Sequence, residues 1–303
     1  MGLSMEIFVT GASGYIGGSV ATRLQAAGHR IAGLVRSEDK GAALRARGME
    51  PVIGTLDDAR LLSEMARRAD AVVNAANSDH RGAVEVLIRA LAGTGKPLLH
   101  TSGSSIAGND ARGEPSERIY HTLEEIVPEP EKAARVRIDQ RVREAAGVGV
   151  RSVVICNTLI YGHGTGLHRD SVQIPALAGQ ARKSGVARYV GRGLNVWSNV
   201  HVDDVAELYL LALEKAPPGS FYFSENGEAS FRDLVEAIAV ALKLGPAQSW
   251  DVDEAIAEWG FEKAVFALAS NSRVRERGAR EQLGWAPRHE SVLDWVREEL
   301  ASG

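Results

Sequence analysis

The chain has 303 residues, 45% of them hydrophobic and 24% charged, which suffices for one large core or a core with a satellite. Its formal net charge of -4 argues against nucleic acid or an acidic membrane as a partner, since both reward a basic excess. The single cysteine, Cys156, excludes an intramolecular disulfide; no apolar run approaches the ~20 residues of a spanning helix and residues 1–9 carry no leader pattern, so a cytoplasmic protein is expected.

In chain order, residues 6–9 read as a strand, followed by a glycine-rich turn and a helix over 15–27 that Gly28 stops. Residues 31–35 form the next strand and 52–53 a short third, with Asp57 or Asp58 placed to cap the helix after it. Residues 71–74 and 98–101 are strands on either side of a helix over 82–92, and 151–157 is a continuous apolar run. Strands alternating with helices predict an α/β fold with a doubly wound parallel sheet covered on both faces. Residues 108–130 are polar and proline-punctuated, as in a loop. Beyond about residue 160 the loops lengthen, and from Asp203 helices dominate. The expected division is a Rossmann core over 1–160 and a small C-terminal lid over 161–303, with elements around 196–215 returning to the core. Trp250, Trp259, Trp285 and Trp295 fall in predicted helical stretches and read as packing residues.

The first turn carries the clearest chemistry. The strand ending at Val9 runs into Gly11, Ser13, Gly14, Tyr15, Ile16 and Gly17 in a GxxGxxG spacing, and a helix follows. Gly11 allows a tight turn, Gly14 lets backbone approach a pyrophosphate, and Gly17 lets the helix pack on the strand. The helix N-terminus then offers unpaired N–H groups to phosphate. At the end of the second strand a carboxylate would bind a ribose 2′-hydroxyl, but this chain has Arg36, which suits a 2′-phosphate. Glu38 and Asp39 follow closely. The balance favours NADP(H) over NAD(H).

The residues resemble the short-chain dehydrogenase/reductase superfamily in its extended, epimerase/dehydratase-like branch. The resemblance rests on the turn TGASGYIG, the strand end Asn74-Ala75-Ala76, the strand 98–102 and Leu159-Ile160-Tyr161-Gly162. It continues through Val200-His201-Val202-Asp203-Asp204-Val205-Ala206 and Leu283-Gly284-Trp285-Ala286-Pro287. It implies a Rossmann core with a small substrate lid. By position it puts Thr55 and Leu56 at the adenine and Asn74, Ala75 and Ala76 along the ribose and phosphates. Thr101 and Ser102 fall below the nicotinamide, and Asn157 and Leu159 at its carboxamide. Where the family has Arg-Pro, this chain has Cys156-Asn157. Relatives that pair through helices flanking the sheet suggest a homodimer.

The family's chemistry uses a Ser or Thr with a Tyr and Lys in a YxxxK pattern, the Lys lowering the Tyr pKa. This chain has no YxxxK. Counting back from Asp139 puts Arg135 at the Lys position and Glu131 at the Tyr position, and Gly103 falls where the Ser belongs, flanked by Ser102, Ser104 and Ser105. The expected catalytic set is therefore Tyr120 as proton donor, with Ser104 and Arg135. Tyr161, His163, Asn195 and Trp197 are expected substrate contacts. Asp203 or Asp204 is expected to cap a helix over 205–214. No GxSxG elbow and no metal-binding spacing occurs. The expected function is an NADP(H)-dependent oxidoreductase acting on a small carbonyl or hydroxyl compound with a non-standard proton donor. Two alternatives stay open: a non-catalytic NADP(H)-binding redox sensor, and a sugar-nucleotide epimerase or dehydratase.

Overall fold

A computed structural model describes residues 4–301. The N-terminal half alternates β1 (Glu6–Thr10), α1 (Tyr15–Ala26), β2 (Arg30–Val35), α2 (Glu38–Ala46), β3 (Glu50–Ile53), α3 (Ala59–Arg68), β4 (Ala71–Asn74), α4 (Arg81–Leu91), β5 (Pro97–Gly103), α5 (Ala133–Glu144) and β6 (Arg151–Asn157). The C-terminal half adds β7 (Leu159–Tyr161), α6 (Gln173–Ser184), β8 (Arg188–Val190), β9 (Val196–His201), α7 (Val202–Lys215) and β10 (Ser220–Ser224). It ends with β11 (Glu228–Ser230), α8 (Phe231–Ala241), β12 (Gln248–Trp250), α9 (Val252–Trp259) and α10 (Val292–Glu299).

The central sheet has seven strands in the order β10-β6-β5-β4-β1-β2-β3, and every pairing in it is parallel. A parallel sheet needs both faces covered, and β1 shows how the sequence provides this. Ile7 and Val9 point into the core under α1, α2 and α7, while Phe8 points into the core under α3, α4 and α5. All three are fully buried, and each side chain contributes roughly 1.5–3 kcal/mol relative to an exposed state. The strand order reverses beside β1, between β1 and β4, so a crevice opens at their carboxyl ends.

The lid has its own core, formed where α6, α8 and α10 pack around β7 and β9. The core recruits more of the C-terminal half than residues 196–215. Besides α7, the strand β10 joins the sheet edge beside β6. Its run Phe221-Tyr222-Phe223, bounded by Pro217-Pro218-Gly219, is a strand signal in the sequence. Trp250 lies in β12, paired with β8, and not in a helix. The cap of α7 is also not an aspartate: His201 Nδ1 accepts from the Asp203 amide at 3.2 Å. Among the described residues no helix is long and apolar enough to cross a membrane.

Candidate active site

The β1–α1 turn is held by contacts that only glycine permits. Gly11 has φ +74°, and a Cβ there would lie 2.7 Å from the carbonyl oxygen of Ala75. At Gly17 a Cβ would lie 2.4 Å from the Gly11 oxygen. Gly14 caps α1 without a side chain, so the first amides of the helix are open to the cleft. Thr10 fixes the facing loop: its Oγ1 donates to Asn74 Oδ1 at 2.7 Å and accepts from the amides of Ala75 and Ala76 at 3.1 and 3.3 Å. This cradle, closed to any Cβ at Gly11 and Gly17 and presenting free amides, fits a pyrophosphate.

From the turn the cleft runs in two directions that share Ala75, Ala76 and Asn77. One arm, of about 660 Å³, is lined by Gly11, Ser13, Gly14, Arg36, Lys40, Thr55 and Leu56. Glu38 and Asp39 lie outside it. Ser37 caps α2, they occupy the helix's first turn, and Glu38 pairs with Arg45 at 3.7 Å. The carboxylates that follow Arg36 in sequence thus turn away, and Lys40, one helical turn on, comes in with Arg36. At the far side His80 Nδ1 accepts from the Ala83 amide at 3.0 Å, which leaves its Nε2 to donate to Asp57 at 3.1 Å.

The other arm, of about 490 Å³, is lined by Tyr15, Ile16, Thr101, Ser102, Ser105, Arg135, Asn157, Ile160 and Trp197. Arg135 reaches across from α5. It donates to Ser105 Oγ at 3.0 Å and forks onto both oxygens of Asp79, one at 2.7 Å. Arg135 holds Asp79 below the usual carboxylate range. Because Ser105 Oγ accepts from the guanidinium, its own proton is free to point into the cleft. Behind this wall, Ser102 Oγ donates to Asp139 Oδ2 at 2.6 Å. Burial pushes Asp139 up to about 7 against the pull of Ser102 and Arg135. Asn74 Nδ2 donates to His100 Nδ1 at 3.0 Å, so His100 carries its proton on Nε2, which faces Asp139 Oδ1 at 3.7 Å. Burial pushes His100 down to about 4.

The structure brings most of the expected cofactor set to this cleft: Gly11, Ser13, Gly14, Tyr15, Ile16, Arg36, Thr55, Leu56, Ala75, Ala76, Thr101, Ser102 and Asn157 line one arm or the other. It does not bring all of them. Asn74 is buried beneath the cleft, spent on Thr10 and His100. Leu159 faces the lid core, because β7 alternates and Ile160 takes the cleft side. Tyr161 turns the same way, its hydroxyl donating to the His289 carbonyl at 3.3 Å. His163 lies on the lid surface, paired with Glu299 at 3.1 Å. Asn195 is buried, its amide donating to the carbonyls of Leu268 and Ser270. Trp197 does line the cleft, with its Nε1 donating to the Ser270 carbonyl at 2.9 Å.

Two catalytic expectations need correction. Tyr120 packs in an apolar cluster with Ile106, Leu123, Val136 and Phe223, and its backbone bridges to Val274. It does not reach the cleft. Ser104 does line the cleft, but it is fully buried with its Oγ bonded to Ser272 Oγ at 2.8 Å, and it is Ser105 that meets Arg135. Glu131 is exposed and precedes α5, so no side chain stands at the family's Tyr position on that helix. Lys40, Asp79 and Gln173 are cleft residues that the sequence did not single out, while Ser105, one of the serines flanking Gly103, does stand at the cleft. For Lys40 a signal existed: Ser37 as a helix cap places residue 40 one turn on, on the side of Arg36.

Known proteins agree with this geometry. The model of the NAD-dependent epimerase/dehydratase family matches residues 7–222. The chain is 32% identical to an oxidase of an Acremonium species over 94% of this chain and 93% of that one. It is 28% identical to a 4-hydroxy-2-methyl-3-oxo-4-farnesyl-3,4-dihydroquinoline-1-oxide ketoreductase of Stigmatella aurantiaca, covering 99% and 98%. Its fold is similar to dTDP-glucose 4,6-dehydratase from Bacillus anthracis in complex with NAD, with a TM-score of 0.77 at 18% identity over 98% and 96% of the two chains. With the glycine cradle, the two-armed cleft and a family match across the whole sheet, the chain belongs to the NAD-dependent epimerase/dehydratase family of NAD(P)-dependent oxidoreductases.

Proposed function

We propose that this protein is an NADP(H)-dependent reductase of a carbonyl compound, in which Arg135 and Ser105 replace the family's Tyr and Lys. The observation that carries the cofactor reading is the pairing of Arg36 with Lys40 on the wall of the first arm, with Glu38 and Asp39 outside it. Two cations favour a 2′-phosphate, and the one carboxylate that lines this arm, Asp57, is engaged by His80 at 3.1 Å.

A reduced dinucleotide bound in the cleft supplies the hydride that the carbonyl carbon gains. The chain's residues provide the rest. Ser105 Oγ–H points at the carbonyl oxygen and, backed by the Arg135 guanidinium at 3.0 Å, polarises it as negative charge builds. Asp79 fixes the guanidinium plane through its forked contact. The oxygen takes its proton from Ser105, which regains one from water in the open arm. An arginine is a fixed charge and not a proton relay, so its part is electrostatic. The names of an oxidase and a ketoreductase among the relatives support redox chemistry over epimerisation.

The test is a spectrophotometric assay of NADPH and NADH oxidation with a panel of ketones and aldehydes. Turnover with NADPH preferred is the expected result. Tight NADPH binding with no oxidation by any carbonyl compound would favour the redox-sensor reading instead.

A further inference from the structure

A second cavity of about 460 Å³ lies beside the catalytic arm, and Ser105, Val172 and Ala267 line both. Its remaining apolar walls are Trp259, Phe261 and Phe266. We infer that this chamber holds the body of an uncharged hydrophobic ketone, aromatic or long-alkyl, whose carbonyl oxygen lies at Ser105. The inference rests on the reductase reading and adds the substrate class to it.

Three observations point the same way. First, the chamber mouth leaves large apolar side chains in water: Val172 is 62% exposed and Phe261 52% exposed. Such a patch beside a catalytic cleft is a place for an apolar ligand to cover. Second, the buried charge in the wall is already balanced. Lys132 is only 3% exposed, pairs with Glu262, and sits over the Phe266 ring at 4.8 Å. Arg135, next to it on the cleft side, is spent on Asp79 and Ser105. Lys263, half-buried, also lines the chamber. A sugar nucleotide would need several free cations for its diphosphate and many donors and acceptors for its sugar, and this chamber offers one such cation, Lys263, and the Ser105 hydroxyl. Third, the wall segment Glu262–Leu268 winds as a π-helix. That winding is rare; the chain has it also at Ala279–Leu283, away from the cleft, but in this segment it carries Phe266, whose ring lies under Lys132.

The full chain is assayed with NADPH against butanone, benzylacetone and levulinate, which share a methyl ketone and differ in the body attached to it. Benzylacetone is expected to exceed butanone in kcat/KM by about ten-fold or more, mainly through KM, because its ring leaves water. Phe261→Ser and Trp259→Ala are each expected to shrink that ratio to within about two-fold. Binding is followed separately: with NADPH present, benzylacetone should give a saturable change in tryptophan fluorescence that Trp259→Phe removes. Equal kcat/KM for butanone and benzylacetone overturns the chamber and leaves the reductase reading intact. Saturable binding at Trp259 with no ketone reduced overturns the reductase reading and leaves the chamber. Levulinate preferred over benzylacetone overturns the uncharged class, and an absent fluorescence response overturns the site itself.

Discussion

Ser102 Oγ donates to Asp139 Oδ2 at 2.6 Å, so a hydroxyl on the cleft wall is tied to a carboxyl group with no exposed surface. The other oxygen of Asp139 faces His100 Nε2 at 3.7 Å, and neither atom has a hydrogen-bond partner. Burial raises Asp139 from 3.8 to about 7, so the folded chain holds this proton more tightly than the unfolded one. The contribution to stability is therefore present below the unfolded pKa and is lost as pH rises through about 7. His100 runs the opposite way: lowered from 6.5 to about 4, it costs stability as pH falls through that window. The two slopes oppose each other between them, and above 6.5 only that of Asp139 remains.

Asp139→Asn keeps an acceptor for Ser102 and removes the buried charge. The variant's stability advantage over the parent is expected to grow from about pH 4 to about pH 8, by an amount of order a few kcal/mol. Thermal denaturation across that range measures it; a difference that stays flat or narrows as pH rises contradicts the assignment.

Arg36 and Lys40 make a separate prediction about the cofactor. A charge-assisted contact to phosphate is worth more than a neutral one, so Arg36→Ala should weaken NADPH binding by about ten- to a hundred-fold while changing NADH little. Lys40→Ala should act in the same direction, less strongly, because a point charge lacks the guanidinium's fork. Fluorescence titration with both dinucleotides decides it. Equal loss for NADPH and NADH would mean that the two cations do not face a 2′-phosphate.

How legible this was depends on the kind of contact. The glycine turn was readable because its constraint is local: Gly11 and Gly17 answer to atoms on β1, α1 and the loop after β4. The sheet was readable because strands 71–74 and 151–157 carry the short apolar runs 71–73 and 153–156. The catalytic wall was readable only in part: counting back from Asp139 reached Arg135, but not its contact with Ser105. Ser105 and Arg135 are 30 residues apart and meet only because α5 packs beside the end of β5. Tyr120 misled because a loop tyrosine after β5 looks free in sequence, whereas strand-like pairing to Val274 pulls it under the sheet edge. In β7, a parity of one residue decided that Ile160 and not Leu159 faces the cleft.

The Arg135–Ser105 contact predicts a difference between charge and geometry. Arg135→Lys keeps the cation but loses the fork onto Asp79 and the aimed donor to Ser105. It is expected to lower kcat by about ten- to a hundred-fold with little change in the KM for NADPH. Ser105→Ala should lower kcat comparably, and the double variant should cost little beyond either single one, because the two residues act as a unit. Tyr120→Phe, a change within an apolar cluster, should leave kcat unchanged. Steady-state kinetics with any working ketone separates these outcomes; additive losses for Arg135 and Ser105 would show that they act independently.

The paired aspartates Asp203 and Asp204 divide a family signature into one exposed and one buried member. Asp204 is buried and accepts from the amides of Arg288 and His289 at 2.9 and 3.1 Å, and its carboxylate meets His289 Nδ1 at 2.9 Å. Its carbonyl also accepts from Trp285 Nε1 at 2.9 Å. This one residue thus pins the segment leading to α10 against the start of α7, and it stacks His289 on His201 with ring centroids 3.6 Å apart. Asp204→Ala leaves two part-buried amides without their acceptor and is expected to cost about 1–3 kcal/mol of stability. Asp203→Ala, at a half-exposed position in the first turn of α7, should cost under about 1 kcal/mol. Urea denaturation of the two variants measures the contrast. Equal destabilisation would mean that the signature works through the helix terminus, and not through the tether that Asp204 makes to the C-terminal segment.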